Sequence, residues 1–293
     1  MTWTKVRAAG LVAAAAVMAA ACGKASAEQA PQQARTQTAE QAAPPQVVTV
    51  VARDYSFEAP AEVQAGLVTF QLQNRGQQLH HMAVLRLDQG KTMQDLFAAM
   101  QSGGGKLPEW AHEVGGPNAP DPGGDANATM LLQPGNYALL CFVDIPDRVP
   151  HVMKGMVKPL RVVAPAATPA AAQAVTGDVT MTLSDYAFAL SAPITAGRHT
   201  IRVENPTAAQ SHEVELVKLA PGKTLQDLMS WIENPQGPPP GQAIGGIAGL
   251  AKGEVASFTY DFAPGEYGWI CFLPGPDGRP HFMHGMMQQF TVS

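Results

Sequence analysis

Most apolar residues of this chain lie in short runs separated by Gly, Pro and polar turn residues. Segments 47–52 and 67–72 are rich in β-branched residues, and the second alternates apolar with polar side chains. Such runs predict β-strands. Further strands are predicted at 80–87, 129–132, 137–142, 156–163, 198–204, 212–219, 257–262, 267–272 and 287–292. Many short strands joined by turns predict an all-β protein built from antiparallel Greek-key β-sandwiches.

Two segments have the spacing of a helix instead. The sequence TMQDLFAAM at 92–100 places apolar residues at positions 93, 96, 97 and 100. Thr92 and Asp95 have the spacing of a helix N-cap and its N3 partner. A second helix is predicted at 225–232, and the Gly- and Pro-rich segment 103–125 is predicted to be a loop. We therefore expect one short helical insertion in each sandwich.

Several motifs occur twice, about 130 residues apart. Asp-Tyr-Ser-Phe at 54–57 matches Asp-Tyr-Ala-Phe at 185–188, and similar pairs follow in the same order. A period of this length indicates a duplicated domain, since solenoid repeats have periods of roughly 20 to 50 residues. We predict domain 1 at 47–163 and domain 2 at 178–293, joined by an Ala- and Pro-rich linker at 164–177.

The N-terminal segment predicts export. Residues 1–22 combine two basic residues with an apolar stretch and end in Ala-Ala-Ala-Cys, which resembles a bacterial lipobox. Lipidation of Cys22 is favoured, and cleavage after Ala27 is the alternative. Residues 23–46 contain few bulky apolar side chains and are predicted to be a disordered tether. The expected location is the periplasmic face of the bacterial cell envelope, through a lipid anchor, or the secreted fraction.

Composition and charge exclude one class of partner. The formal net charge is −5, and only 15% of the residues are charged. Nucleic-acid-binding proteins carry clustered Lys and Arg, which this chain lacks. No nucleic-acid partner is expected, and membrane contact is expected only through the lipid anchor.

The chemistry is concentrated in two matching segments, CFVDIPDRVPHVMKGM at 141–156 and CFLPGPDGRPHFMHGM at 271–286. Each contains a Cys, a His and a Met in the same order and at the same spacing. Thiolate, imidazole and thioether groups are ligands that copper prefers. Two other interpretations are a Cys141–Cys271 disulfide, as is usual in an oxidising compartment, and buried Cys and Met residues that only fill a core.

The ends of both segments, PHVMKGM and PHFMHGM, resemble the metal loop of plastocyanin-like cupredoxins, the type 1 blue copper family. In that family a further His begins an earlier strand, and His80 and His212 match it, with His81 next to the first. The chain departs from the family pattern, because nine residues instead of two to four separate the Cys from the His. The resemblance implies one copper ion per domain, with the metal ligands His80, Cys141, His151 and Met156 in domain 1 and His212, Cys271, His281 and Met286 in domain 2.

The resemblance also implies a function, namely one-electron transfer with a redox protein partner. A first alternative is a periplasmic Cu(I) carrier or buffer, which additional soft donors near the loops would suit: Met153, Met283, His284 and Met287. A second is a metal-free interaction module. An enzyme is not expected, since no catalytic motif occurs and the residues beside each Cys lack the His that copper oxidases and nitrite reductases have there.

Overall fold

The computed structural model describes residues 44–144, 147–165 and 173–293. Their regular structure is nearly all β. The first half contains β1 (Gln46–Arg53), β2 (Ser56–Glu58), β3 (Glu62–Gln64), β4 (Gly66–Asn74), β5 (Ala83–Leu87), α1 (Met93–Ser102), β6 (Ala111–Glu113), β7 (Asp125–Leu132), β8 (Gly135–Leu140) and β9 (Val157–Val163). The second half contains β10 (Val179–Ser184), β11 (Ala187–Leu190), β12 (Gly197–Glu204), β13 (His212–Leu219), α2 (Leu225–Glu233), β14 (Gly241–Leu250), β15 (Val255–Phe262), β16 (Gly265–Ile270) and β17 (Met287–Val292).

The strands form three sheets, one of which is shared by the two halves. The shared sheet has eight strands in the order β11-β10-β12-β15-β7-β4-β1-β2, and its two halves meet where β15 pairs with β7. The first half adds a five-stranded sheet (β3-β9-β8-β5-β6), and the second adds a four-stranded sheet (β14-β13-β16-β17). Most pairs are antiparallel, and β1–β4, β10–β12 and β3–β9 are parallel.

The core follows from the alternation of the strands. In β7 every second side chain is buried, from Ala126 to Leu132. These side chains pack with residues of β5, β8 and β9, such as Val84 and Leu139, in one core cluster. A strand with one buried face shows this two-residue period. The predicted β-sandwich fold is therefore confirmed.

The two helices cover the outer faces of the smaller sheets. Leu96 and Met100 of α1 pack against Leu85 and Leu140, which explains why β5 is buried on both faces. The predicted capping box is present, because the Thr92 side chain accepts from the backbone N–H of Asp95 and the Asp95 carboxylate accepts from that of Thr92. The second helix repeats this arrangement.

Six strands were not predicted, namely β2, β3, β6, β10, β11 and β14. β6 lies in the segment predicted to be a loop, and β14, with the sequence GQAIGGIAGL, has a low β-propensity. Gly246 in β14 has a φ of +124°, and a Cβ there would lie 2.0 Å from the carbonyl oxygen of Val214 on β13. Glycine is needed for this close approach of two strands. The predicted strand 80–87 is also shorter than expected, since it begins at Ala83.

The two halves meet in an arrangement with approximate two-fold symmetry. Pro117 pairs with Ile247, its own equivalent 130 residues later, in an isolated antiparallel bridge. The same offset of 130 residues converts each of the flanking bridges, Val114–Leu250 and Pro120–Ile244, into the other. A contact that maps onto itself in this way is isologous. We call this pairing of residues 114–120 with 244–250 the central seam.

Several predicted features lie outside the described residues. These are the signal peptide at 1–22 with Cys22, nearly all of the tether at 23–46, and residues 166–172 of the linker. Within the described ranges, no helix has the length and apolar character that spanning a membrane requires.

Candidate metal centres

The structure brings three predicted donors together in each half. The site-facing atoms of His80, Cys141 and His151 lie within 4.8 Å of one another, and all three residues are buried. The two Nδ1 atoms are 3.1 Å apart, and the Cys141 Sγ is 4.0 Å from that of His80 and 3.5 Å from that of His151. Nitrogen and sulfur ligands bound about 2.0–2.3 Å from one ion would be roughly 3.3–3.8 Å apart. The spacing therefore fits a metal ion.

The second centre has the same construction. His212, Cys271 and His281 also converge and are buried. Their Nδ1 atoms are 3.0 Å apart, and the Cys271 Sγ lies 3.3 Å from the Nδ1 of His281. Cys141 and Cys271 are both free thiols, so the alternative of a disulfide between them is wrong.

The long loop returns each His to its Cys by backbone hydrogen bonds. In the first half, the N–H of His151 donates to Val143 at 2.8 Å and that of Val152 donates to Cys141 at 2.7 Å. The excursion therefore opens after Val143 and closes at His151. A 3-10 turn, His151–Lys154, follows and ends at Gly155, whose φ is +95°. The loop is longer than the family pattern, and its extra residues leave the Cys and His together.

The second loop closes in the same way. His281 donates to Leu273 at 2.9 Å, and Phe282 donates to Cys271 at 2.9 Å. Between these contacts, Gly278 donates to Gly275, as expected for the turn sequence Gly-Pro-Asp-Gly.

The predicted methionines lie against these residues. Met156 is fully buried, its N–H donates to His151 at 3.0 Å, and its carbonyl accepts from Cys141 at 3.3 Å. Met286 is fully buried too, and it makes the same two contacts with His281 and Cys271. A weakly bound thioether beside a His₂Cys set is the arrangement of blue copper sites.

Each imidazole is held by a second polar group on its outer side. The Nε2 of His80 is 2.9 Å from the Asp54 carboxylate, and the Nε2 of His151 is 3.0 Å from the side-chain oxygen of Gln78. Both partners are acceptors, so both Nε2 atoms carry the proton and both Nδ1 lone pairs face the thiol. Outer acceptors of this kind fix the tautomer and the orientation of metal-binding histidines.

The second half repeats these outer contacts. Asp185 accepts from His212 at 3.0 Å, and Gln210 accepts from His281 at 3.1 Å. A tyrosine completes each set, because Tyr55 and Tyr186 bond to these glutamines and pack edge-on against the second imidazole. Asp54, Tyr55, Gln78 and their equivalents were not predicted to lie at the sites. Their only signal in the sequence is the repeated Asp-Tyr pair, which indicated duplication.

Burial sets the protonation of the donors. It raises the pKa of the Cys141 thiol to about 12 and raises that of Cys271 as well. It lowers the pKa of His80 and of His212, against the opposing effect of the neighbouring aspartates. Burial, together with the nearby His212 and His284, lowers the pKa of His281 to about 4. The imidazoles of His80, His212 and His281 are therefore neutral at pH 7, and their lone pairs are available to a soft cation.

The additional soft donors do not join these clusters. Met153 and Met283 are 56% and 48% exposed, and His284 bonds to Asp277 on the surface. Met287 begins the last strand and packs with α2 residues on the outer face of its sheet. His81 lies behind the first centre, where its Nε2 accepts from the backbone of Phe142. Among the described residues, only the two His/Cys/His groups converge as sets of three possible metal ligands.

Comparisons with known proteins were made by sequence and by structure. No protein-family model and no curated protein match the chain. Auracyanin A, a blue copper protein of Chloroflexus aurantiacus, aligns with 41% of this chain and 99% of its own at 18% identity and a TM-score of 0.29. Auracyanin of Roseiflexus castenholzii aligns with 40% of this chain and 96% of its own at 18% identity and a TM-score of 0.27. The blue copper oxidase of Nitrosomonas europaea aligns with 85% of this chain and 86% of its own at 15% identity and a TM-score of 0.27.

At sequence identities this low, the comparisons bear on the fold alone. The fold is cupredoxin-like. The donor sets of both centres, two imidazoles and a thiolate with a buried Met beside them, are those of copper.

The prediction that the chain is not an enzyme is wrong. Structures that align with more than four fifths of it include a blue copper oxidase, multicopper oxidases and a laccase, which are enzymes. The absence of His residues beside Cys141 and Cys271 therefore did not justify that prediction.

Proposed function

We propose that this chain is an exported copper protein with two tandem cupredoxin-like domains, each of which binds one copper ion and exchanges single electrons with a redox protein. The ligands would be His80, Cys141, His151 and Met156 in the first domain and His212, Cys271, His281 and Met286 in the second. Copper bound by such a set supplies one-electron chemistry, because the set suits both Cu(I) and Cu(II).

One observation carries the proposal. In each half, two imidazoles whose outer nitrogens donate to acceptors turn their Nδ1 atoms towards each other and towards a thiol, at 3.0–3.1 Å between the nitrogens. Two ring nitrogens at this spacing, buried beside a thiol, suit a soft cation that all three atoms would bind.

The surrounding residues favour electron transfer because they hold the donors still. Asp54 and Gln78 fix the two imidazoles from outside, and the loop hydrogen bonds fix the backbone of Cys141 and His151. Donors that are already in place move little when the charge of the site changes. Complete burial of the three donors also excludes water as a further ligand.

The test is the visible absorption spectrum of the full chain after addition of Cu(II), compared with Cys141→Ser, Cys271→Ser and the double variant. We expect an intense thiolate-to-copper band that each single variant reduces and the double variant abolishes. Met153→Ser is the matched control, because this residue is exposed and outside both clusters. Uptake of copper only as Cu(I), without colour, would replace electron transfer by copper carriage. No uptake of either ion would refute the proposal.

A further inference from the structure

The proposed metal ligands are closed off from solvent in both halves. His80, Cys141, His151 and Met156 are all 0% exposed. In the second half, His281 is the most exposed of the four ligands, at 1%. Neither set therefore offers a ligand atom to an ion in the surrounding water, and a residue outside the set has to make the first contact.

One exposed soft donor lies beside each set. Among the methionines of the described ranges, only Met153 and Met283 are exposed, at 56% and 48%. Each is the third residue of the 3-10 turn that begins at the second His of its set, His151 or His281. Cα atoms two residues apart are separated by at most about 7 Å, so each exposed methionine is attached close to a buried ligand.

The fold gives these two methionines no role of their own. The segments PHVMKGM and PHFMHGM share five of their seven residues. Four of the five have a place: the Pro precedes the turn, the His and the last Met are proposed ligands, and the Gly ends the turn with a φ of +95° or +101°. The fifth is the exposed Met, which belongs to no core cluster of the described residues. An apolar side chain thus faces solvent at the same position of both copies.

In the first half, the exposed methionine borders a recess. Val152 and Met153 of the turn line a cavity of about 200 Å³ together with Phe97 and Met100 of α1. The cavity wall is therefore mainly apolar and includes two thioethers. Thioether sulfur selects Cu(I), whereas Cu(II) favours nitrogen and oxygen donors. The surroundings of Met153 suit the reduced ion.

We propose that Met153 and Met283 are the entry ligands of the two centres, which take Cu(I) from solution and pass it to the buried set on the same turn. This inference rests on the proposed function. The substrate is a Cu(I) complex with exchangeable soft ligands. One bond from the ion to such a ligand breaks as the bond to the methionine sulfur forms, and the oxidation state does not change. When the buried Cys then becomes a ligand, its thiol proton is released to solvent.

The side chain suits this role. Methionine is unbranched, has three rotatable bonds and carries a polarizable sulfur, so it can turn between solvent and the protein surface. Its thioether is neutral and carries no proton that has to leave before it binds a metal. Neither methionine is a ligand of the loaded centre, so the entry role concerns the rate of copper uptake and not the final affinity.

The test is the rate at which the metal-free full chain takes Cu(I) from its bicinchoninate complex, whose colour fades as the copper leaves it. The chain carries Cys271→Ser, so that only the first centre loads. Met153→Leu keeps an apolar side chain of similar size but loses the sulfur. It should slow uptake roughly tenfold, the change expected for one lost contact of about 1.4 kcal/mol. The final affinity and the thiolate–copper band after oxidation should stay within about twofold of the parent.

Three comparisons separate the thioether from other causes. Uptake of Cu(II) by Met153→Leu should keep its rate, since thioether sulfur favours Cu(I). Val149→Ala, which trims another exposed apolar side chain of the same loop, should keep both rates. Met283→Leu in a chain carrying Cys141→Ser should slow Cu(I) uptake at the second centre. An unchanged Cu(I) rate in the methionine variants, or equal slowing with Cu(II) or in Val149→Ala, would overturn the entry role.

A second measurement does not depend on the buried sets. The full chain carries Cys141→Ser and Cys271→Ser and ¹³C-labelled methionine methyl groups, and Cu(I) is added as its acetonitrile complex. The signals of Met153 and Met283 should shift before that of Met130, which is buried in the core. Signals that stay unshifted, or that shift no earlier than that of Met130, would refute the inference. Failure of the proposed function is distinguishable, because the parent chain would then show no thiolate–copper band.

Discussion

Removing the Asp54 carboxylate should weaken metal binding at the first centre without touching a ligand. Asp54 accepts the Nε2–H of His80 at 2.9 Å, and His80 is fully buried. Burial alone would raise the pKa of Asp54, but hydrogen bonds from His80 and Gln77 hold it below its ordinary value. An ionised partner therefore fixes the tautomer in which Nδ1 carries the lone pair.

The expected loss of metal affinity follows from the hydrogen bond that is removed. Removal of an outer partner of a metal-binding His typically reduces metal affinity about 10- to 100-fold, or about 1.4–2.7 kcal/mol. Asp54→Ala should fall in this range. Asp54→Asn keeps an acceptor and loses the charge, so the hydrogen bond weakens by about 1 kcal/mol and the affinity falls roughly fivefold.

The assay is competitive copper titration of the metal-free chain carrying Cys271→Ser, so that only the first centre is measured. Asp88→Ala is the matched control, because Asp88 forms a similar contact of 3.0 Å with His112 away from both centres. Copper affinity should be highest in the parent and in Asp88→Ala, lower in Asp54→Asn and lowest in Asp54→Ala. If Asp54→Ala binds copper as tightly as Asp88→Ala does, the reasoning is refuted.

Three further predictions concern the stability of the fold. Gly116→Ala should lower the free energy of unfolding by about 3 kcal/mol or more, because the new Cβ would lie 2.0 Å from the Met82 carbonyl oxygen at a φ of +120°. Gly104→Ala is the comparison, since position 104 has a φ of +64° and open space around it, and this change should cost only about 1–2 kcal/mol. Urea unfolding measures both. Burial raises the pKa of Glu215 well above its ordinary value, so the native state keeps a proton that the unfolded chain releases, and the free energy of unfolding should fall as the pH rises above the pKa of Glu in the unfolded chain. The slope of this fall is at most about 1.4 kcal/mol per pH unit. Glu215→Gln should reduce the slope, and an unchanged pH profile of stability would contradict this prediction. Thr92→Val should remove the first helix cap and cost about 1 kcal/mol, and a melting temperature equal to that of the parent would count against it.

Sequence patterns predicted the parts of the fold that depend on local chemistry. Alternation in 67–72 and the Thr92–Asp95 spacing gave a strand and a capped helix, both observed with slightly different ends. β14 could not be predicted in this way, because its Gly246 is required by the carbonyl of a neighbouring strand, and that contact is absent from the local sequence.

The candidate centres show the same division. Cys141 and His151 are close in sequence, and their pattern identified them as a pair. The separation of nine residues left open whether the loop could bring them together, and the answer came from hydrogen bonds that only the folded loop makes. Asp54 and Gln78 approach the centre from other strand ends, which no spacing within the loop could indicate.

The central seam, where Pro117 pairs with its own equivalent Ile247, has the form of a contact between two identical subunits of a dimer. In a true homodimer, every substitution near such an axis appears twice, so both copies of position 118 would carry asparagine. A single chain that contains both copies is released from this constraint, and positions such as 118 and 248 can carry unlike residues. Fusion of the two copies thus permits two otherwise equivalent sites to have different surroundings, which a symmetric dimer could not encode.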